Sequence, residues 1–210
     1  DSVGIIIPEI VKTFNLSLTA AGSFQYATMA GIAIAGFLLG HLADRYGRKR
    51  TIVIGLILFA AASYLFIAGN SFLFFSLLMG LSGIAIAIFK TGALALIGDI
   101  SRSTAEHTSI MNTVEGFFGV GSIVGPLLLS QLLNHGVPWQ WLYVIAGSMC
   151  VLLILTALSV RYPARVAAES EQPSFGNVLA VARNRFVLLF SVGLFLYVAA
   201  EAAIYVWMPT

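Results

Sequence analysis

The stretch of sequence that decides the fold is Gly40-His41-Leu42-Ala43-Asp44-Arg45-Tyr46-Gly47-Arg48-Lys49-Arg50. The acid Asp44 and the basic Arg45 lie between the two glycines, and three more basic residues follow Gly47. Long apolar segments lie on both sides. We predict that Gly47 forms a tight turn with positive φ, because glycine adopts that conformation without steric cost. Asp44 is predicted to lie at the carboxyl end of a helix, where the helix dipole disfavours an acid. It therefore needs a partner that offsets its charge.

The composition around this hairpin is that of a protein covered mainly by lipid. Of 210 residues, 59% are hydrophobic and 10% are charged, and the mean hydropathy is +0.95. An ordinary soluble domain carries about 25% charged residues, so too few polar residues remain here to make a water-exposed surface. We predict an all-α membrane protein.

Apolar segments divide the chain into seven predicted membrane spans. The first is too short to cross a hydrocarbon core of ~30 Å and is read as the remnant of a helix. Trp139, Trp141 and Tyr143 are expected in an interfacial aromatic belt. The spans are 1–11, 19–40, 51–69, 72–97, 105–133, 139–160 and 186–208.

The basic residues between spans predict the orientation. Most of them fall on one side of the membrane, which the positive-inside bias assigns to the cytoplasm. The loop at 41–50 and the segment 161–185 are therefore predicted to be cytoplasmic. The basic residues on this side are Arg45, Arg48, Lys49, Arg50, Arg102, Arg161, Arg165, Arg183 and Arg185.

The predicted domains are a six-helix bundle at 1–160, a linker at 161–185 and the first helix of a second bundle at 186–210. This organisation indicates a six-plus-six transporter with half of it missing. Small residues at helical spacing predict close helix packing within it. They are Gly36 with Gly40, Ala27 with Gly31 and Ala35, and Gly121 with Gly125.

The hairpin resembles the signature loop of the major facilitator superfamily, G-x-x-x-D-R-x-G-R-K, at every defining position. The resemblance implies a major facilitator fold, a role for Gly40 in close packing, and an Asp44 that faces a helix N-terminus of the second half. Arg45 and Arg48 would bridge to acids such as Asp99. The implied gating residues are Gly40, Asp44, Arg45, Gly47, Arg48, Lys49, Asp99 and Arg102.

Two further segments refine the resemblance. Gly121, Gly125 and Pro126 are similar to the glycine-proline motif of the family's fifth helix, although the usual Gly-Gly continuation is absent, which argues against a drug antiporter. The segments 112–126 and 193–207 look like the fucose, glucose and galactose permease branch.

Ionisable residues within the spans are candidate functional groups, because each costs about 2.5 to 3.5 kcal/mol at mid-bilayer and tends to face a cavity or a partner. Asp1, Glu201 and Glu115 are candidate proton-coupling acids, although Asp1 can equally be a frayed end. Lys90 and Glu115 are expected to form a buried ion pair, either structural or broken during transport.

A sugar site is expected from polar and aromatic side chains in several spans. Tyr197, Glu201 and Tyr205 share one helix face by their spacing, and an acid beside aromatic rings suits a hydroxylated ring. Gln25 can instead serve an interhelical hydrogen bond. The predicted substrate-binding residues are Gln25, Asn112, Glu115, Tyr197, Glu201 and Tyr205.

The predicted function is transport of a small polar solute, a sugar by preference, through proton-coupled alternating access. The alternatives are a multidrug/proton antiporter and a sensor that binds solute without moving it. The expected partners are substrate, protons, the lipid bilayer of the cell membrane and the missing C-terminal half, in a monomer without cofactor, metal or nucleic acid. An enzyme is not expected, because the sequence shows no metal-ligand spacing, nucleophile arrangement or phosphate loop. The glycines at 119–125 lack the preceding strand that a dinucleotide site requires.

Overall fold

A computed structural model describes residues 3–162 and 184–207 of the chain. The regular secondary structure of this part is all helical, and we number its α-helices α1 to α8. Several helices begin at a serine N-cap, since the Oγ atoms of Ser17, Ser71 and Ser103 accept from backbone N–H groups of the first turn. The helices are α1 Val3–Phe14, α2 Leu18–Leu39, α3 Leu42–Tyr46, α4 Arg48–Leu65, α5 Phe72–Ile100, α6 Thr104–Asn134, α7 Gln140–Ser159 and α8 Arg185–Trp207.

Six of the described helices are long and apolar enough to cross a membrane. They are α2, α4 with the 3-10 turn Phe66–Ala68 that extends it, α5, α6, α7 and the apolar part of α8. These helices match the predicted spans to within a few residues, and the all-α prediction is confirmed. α1 has 12 residues, about 18 Å at 1.5 Å per residue. The predicted linker lies mostly outside the described residues.

α5 is the centre of the bundle. It packs along α2 on one side and along α4 on the other, and α4 in turn packs against α7. α1 lies on α2 and also contacts α6 and α8. α6 touches its neighbours at few points, so most of its surface is uncovered in the described part of the chain. The result is a tight core of α2, α5, α4 and α7 with a loosely covered α6 beside it.

Glycines set how closely α2, α4 and α5 approach. A Cβ atom on Gly31 would collide with the backbone oxygen of Gly80, and one on Gly83 would collide with that of Thr28. On the other side of α5, a Cβ on Gly55 would lie 2.6 Å from the amide nitrogen of Phe89. The predicted packing role of Gly31 is confirmed.

The other predicted small-residue pairs behave differently. Cβ positions on Gly36 and Gly121 have no neighbouring atom within 4 Å, apart from each glycine's own helix backbone and chain neighbours. Among the described residues, therefore, the predicted close approach at these two glycines is not found.

An aromatic cluster fills the bundle at the end opposite the hairpin. Phe66 stacks on Tyr143 with ring centroids 3.8 Å apart, and Phe75 lies edge-on to Trp139 at 5.1 Å. Trp139 is 3% exposed and Trp141 is 47% exposed. The predicted interfacial belt is therefore wrong for Trp139 and Tyr143, because both rings turn into the core where apolar burial is greater. We call this end the aromatic end and the other the hairpin end.

Candidate functional site

The hairpin consists of two turns around a short helix. α2 ends at Leu39, α3 runs from Leu42 to Tyr46, and α4 begins at Arg48. Gly47 separates α3 from α4 with φ of 87°, as predicted. Gly40 has helical φ of −55°, and a Cβ there would meet only the oxygen of Gly36 in its own helix. The packing role expected for Gly40 is not found among the described residues.

Arg48 is the centre of a charge network at the hairpin end. Its Nη1 donates to Oδ1 of Asp44 at 2.6 Å, across the turn at Gly47. Its Nε donates to Oδ2 of Asp99 at 2.8 Å, and Nη2 lies 3.3 Å from Oδ1 of the same carboxylate. One planar guanidinium therefore joins the hairpin to the end of α5 through a forked contact, a geometry that lysine cannot reproduce.

The side chains of this charge network are only partly shielded from water. The side chain of Arg48 is 18% exposed, whereas those of Asp44 and Asp99 are 56% and 35% exposed. Pairs in such a partly hydrated position are worth up to about 1 kcal/mol each. The predicted bridge from Arg48 to Asp99 is confirmed.

The two other predicted gating arginines do not join this network. The guanidinium of Arg45 lies over the ring of Tyr46, 5.5 Å from the centroid. The backbone N–H of Arg102 donates to Oε2 of Glu106 at 2.8 Å, which helps to cap α6. The expected bridge from Arg45 to Asp99 is therefore wrong in this structure, because Arg48 occupies that carboxylate.

Lys49 ties the hairpin to the last turn of α7. Its Nζ donates to the backbone oxygens of Leu158 at 2.8 Å and Val160 at 2.9 Å. The same ammonium lies 5.4 Å from the ring centroid of Tyr162. A cation at the carboxyl end of a helix satisfies its last carbonyls and interacts favourably with its dipole. The family resemblance implied a gating role for Lys49, but the sequence did not indicate that backbone oxygens of α7 would be its acceptors.

α6 carries a polar face from its first residue to about its middle. An open groove there is lined by hydroxyl and amide side chains, including that of Asn112, and Glu115 lies exposed one turn further. Thr108 and Thr113 donate to backbone oxygens four residues earlier, both at 2.9 Å, as hydroxyls in apolar surroundings commonly do. The groove residues are Thr104, Ala105, Thr108, Ser109, Asn112 and Thr113.

The predicted buried ion pair between Lys90 and Glu115 is wrong in this structure. Both residues are exposed, and no salt bridge joins them in the described part of the chain. The physical reason is that α6 contacts α5 at only a few points, so residues at similar depth on the two helices do not close on each other.

The remaining predicted substrate residues are distributed over the bundle. Gln25 is 4% exposed on α2, and its Oε1 is buried without a partner among the described residues. Gln25 therefore packs within the bundle, and its role in substrate binding stays a prediction. Tyr197 is exposed and Glu201 is partly buried, both on α8. Asp1 and the side chain of Tyr205 lie outside the described residues.

Two further candidates lie on α6 and α1. Gly121, Gly125 and Pro126 occur within the continuous helix α6, which Pro126 does not end. Sequence reasoning missed Glu9, which pairs with Lys12 at 2.8 Å on α1. Glu9 also borders a cavity of about 400 Å³ with Thr13 and Gln140 at the aromatic end. Glu9 could have been identified from the sequence, because it is an acid within the first apolar segment.

These features define a multi-pass helical membrane protein with a charged hairpin at one end of its bundle. The family model of the Major Facilitator Superfamily matches residues 1–210, and the chain belongs to that family.

Three relatives give the scale of the likeness. The chain is 22% identical over 206 residues to the TsgA homolog of Buchnera aphidicola, and 24% identical over 208 residues to that of Serratia proteamaculans. It is 29% identical over 220 residues to spinster homolog 1 of Homo sapiens. These alignments cover 98%, 98% and 99% of this chain, and 51%, 52% and 41% of the relatives. The chain thus spans about half the length of the curated relatives it matches.

Proposed function

We propose that this chain is the N-terminal half of a secondary transporter that moves a small polar solute across the cell membrane by alternating access. The observation that carries the proposal is the Arg48 network, which joins the hairpin to α5 through contacts of 2.6 and 2.8 Å. A carrier needs such a contact at one end of its bundle, since the closed state must be stable but reversible. The loop at 41–50 and the linker at 161–185 would then be cytoplasmic.

The solute proposed is a sugar, coupled to protons. Support for a hydroxylated solute comes from the groove on α6, whose hydroxyl and amide groups lie beside Glu115. Glu115 and Glu201 are the candidate coupling acids in the described chain, and Asp1 is a third outside it. An acid within a membrane span can load and release a proton near neutral pH when desolvation raises its affinity for the proton.

The test is flux through the full-length carrier in proteoliposomes that hold a pH-sensitive dye. We expect sugar entry together with acidification of the lumen, and loss of acidification when Glu201 or Glu115 is replaced by Gln. Exchange of an external drug for internal protons would favour an antiporter. Binding of sugar without any flux would favour a sensor and contradict the proposal.

A further inference from the structure

We propose that the cavity between α1 and the turn that joins α6 to α7 is a binding site for the hydroxyl groups of an uncharged solute. The proposal rests on the transport function inferred above, and it gives the carrier a second place of contact with a sugar, at the aromatic end. The cavity has a volume of about 400 Å³, within the range of ~300 to 1,000 Å³ that is usual for small-molecule sites. Glu9 and Thr13 line it from α1, and Gln140 lines it from α7.

This cavity is separate from the polar groove on α6. The groove ends at Thr113, whereas the first cavity residue on α6 is Leu133. Both residues belong to one continuous helix, in which twenty residues correspond to about 30 Å along the axis. A monosaccharide at the aromatic end therefore does not reach the groove, and binding at the two places can be tested separately.

The turn between α6 and α7 forms one wall of the cavity and has a fixed shape. The N–H of Val137 donates to the oxygen of Leu132 at 2.9 Å. The N–H of Gly136 donates to the oxygen of Leu133 at 3.0 Å, and Gly136 has φ of 71°. These two bonds form a Schellman motif, which satisfies the last carbonyls of a helix. The wall is thus formed before a ligand arrives, which lowers the entropy cost of binding.

The facing wall is α1, which the apolar core holds against the start of α7. Ile6 and Ile10 on α1 are each 1% exposed, and they belong to the same buried cluster as Trp139. Trp139 also lines the cavity. The packing of α1 against this ring therefore helps to set the width of the cavity.

Glu9 supplies the strongest acceptor among the lining side chains. Its Oε1 accepts from Nζ of Lys12 at 2.8 Å, whereas its Oε2 accepts no hydrogen bond within residues 3–162 and 184–207. The Glu9 side chain is 29% exposed, so its carboxylate is only partly hydrated. A hydroxyl that donates to a carboxylate forms a charge-assisted hydrogen bond, which is roughly twice as strong as a neutral one.

The amide of Gln140 is a second acceptor that lacks a donor. Its Oε1 is buried and has no hydrogen-bond partner in the described part of the chain. A buried acceptor without a partner is unfavourable, and no hydrogen bond through this oxygen holds the amide in place. Rotation of the Gln140 side chain toward the cavity would let a solute hydroxyl donate to it.

The charges around the cavity favour an uncharged solute. A solute carboxylate or phosphate would be repelled by Glu9. A solute ammonium group would compete with Lys12 for the same carboxylate and would be repelled by that lysine. A neutral sugar meets neither obstacle, because its hydroxyls can donate to Glu9 and Gln140 and can accept from the hydroxyl of Thr13.

The first experiment locates the binding site by protection of a single cysteine. Thr13→Cys is made in the full-length carrier, with Cys150 replaced by Ala, and its rate of reaction with a maleimide is measured with glucose, galactose, fucose or galacturonate. At about ten times Kd, at least one neutral sugar should slow the reaction about tenfold. His135→Cys is the control, because His135 is exposed in the same turn and does not line the cavity.

Three outcomes of this labelling would overturn the inference. They are a lack of protection of Thr13→Cys by every neutral sugar, equal protection of His135→Cys, and protection by galacturonate as strong as that by galactose. Slower labelling of Thr13→Cys alone, with neutral sugars and not with galacturonate, supports it. This measurement leaves Glu9 unchanged, so it does not depend on the folding of a Glu9 variant.

The second experiment separates a binding role of Glu9 from a structural role of its ion pair. In the Thr13→Cys carrier, Glu9→Gln should raise the sugar concentration for half-protection by about 10- to 100-fold, the loss expected for a hydrogen bond to a charged group. Lys12→Met breaks the same ion pair and should not raise it, because both carboxylate oxygens then serve the solute. An equal rise in both variants would overturn the binding role of Glu9.

Uptake into proteoliposomes separates this inference from the transport proposal. Uptake of a neutral sugar without protection of Thr13→Cys would refute the cavity site and leave the transporter intact. Protection without uptake of any sugar would support the cavity site and refute transport instead.

Discussion

At the scale of single residues, the proposed gating depends most directly on the forked contact of Arg48 with Asp99. We predict that Arg48→Lys in the full-length carrier lowers the transport rate about tenfold, because an ammonium group cannot hold Asp44 and Asp99 together. Arg48→Gln should lower it further and cost about 1 to 2 kcal/mol of stability. Initial rates in proteoliposomes and thermal unfolding measure the two effects.

The contrasting residue for that test is Arg45, which lies over Tyr46 and outside the network. Arg45→Gln removes the same charge from the same hairpin. If Arg45→Gln and Arg48→Gln reduced transport equally, the effect would come from the net charge of the hairpin and the specific role of Arg48 would be refuted.

Lys49 gives a second prediction at this scale. Lys49→Met should release the last turn of α7, because the carbonyls of Leu158 and Val160 lose their donor. The expected cost is about 1 kcal/mol, seen as faster hydrogen exchange at the carboxyl end of α7. Arg50→Met, the neighbouring charge, should leave that exchange unchanged, and equal acceleration in both variants would contradict the capping role.

At the scale of elements, the contact between α2 and α5 depends on glycine. Gly83→Ala should cost about 1 to 3 kcal/mol, the usual range for overpacking, since the new Cβ meets the backbone of Thr28. Gly98→Ala on the same helix meets nothing within 4 Å, and it should gain up to about 1 kcal/mol from helix propensity. Thermal unfolding in one detergent compares them. Equal midpoints would mean that α2 and α5 do not approach this closely.

The aromatic cluster offers a matched pair of tryptophans on either side of the start of α7. Trp139→Ala should cost about 3 to 5 kcal/mol because it empties a buried site, whereas Trp141→Ala removes a half-exposed ring and should cost under about 1 kcal/mol. Unfolding by heat or denaturant measures both costs. A larger loss of stability in Trp141→Ala than in Trp139→Ala would contradict the burial of Trp139 in the core and favour the predicted interfacial belt.

The elements could be predicted from sequence more reliably than the contacts between them. Apolar segments predict helices because each must satisfy its own backbone in lipid, and Gly47 predicts its turn because few other residues accept that φ. The partner of Arg48 was implied by the family resemblance, and the fold agrees with it because the hairpin and the end of α5 lie at the same end of the bundle.

Contacts that depend on helix rotation were not predictable in the same way. Lys90 and Glu115 lie at a similar depth in the membrane, but their side chains do not face each other. Counting residues along two helices gives the depth of a residue and not the direction of its side chain. The inward turn of Trp139 and Tyr143 depends on Phe66 and Phe75, which lie far away in sequence. The acceptors of Lys49 are backbone oxygens, which leave no signature in side-chain identity.

At the scale of the whole molecule, the two ends of the bundle differ in the basic residues that they carry. The hairpin and the turn that contains Gly136 lie at opposite ends of the bundle. The helices α4, α5 and α6 each run from one of these ends to the other. Basic residues concentrate at the hairpin end, so that end should face the cytoplasm. The Arg48 network would then be the inner gate.

The most direct measurement is the labelling of single cysteines by a membrane-impermeant maleimide in intact cells. In the full-length carrier, with the native Cys150 first replaced by Ala, Tyr46→Cys should react only after the membrane is permeabilised. His135→Cys should react at once from outside. Immediate labelling of Tyr46→Cys together with protection of His135→Cys would place the hairpin on the outer face and contradict the account.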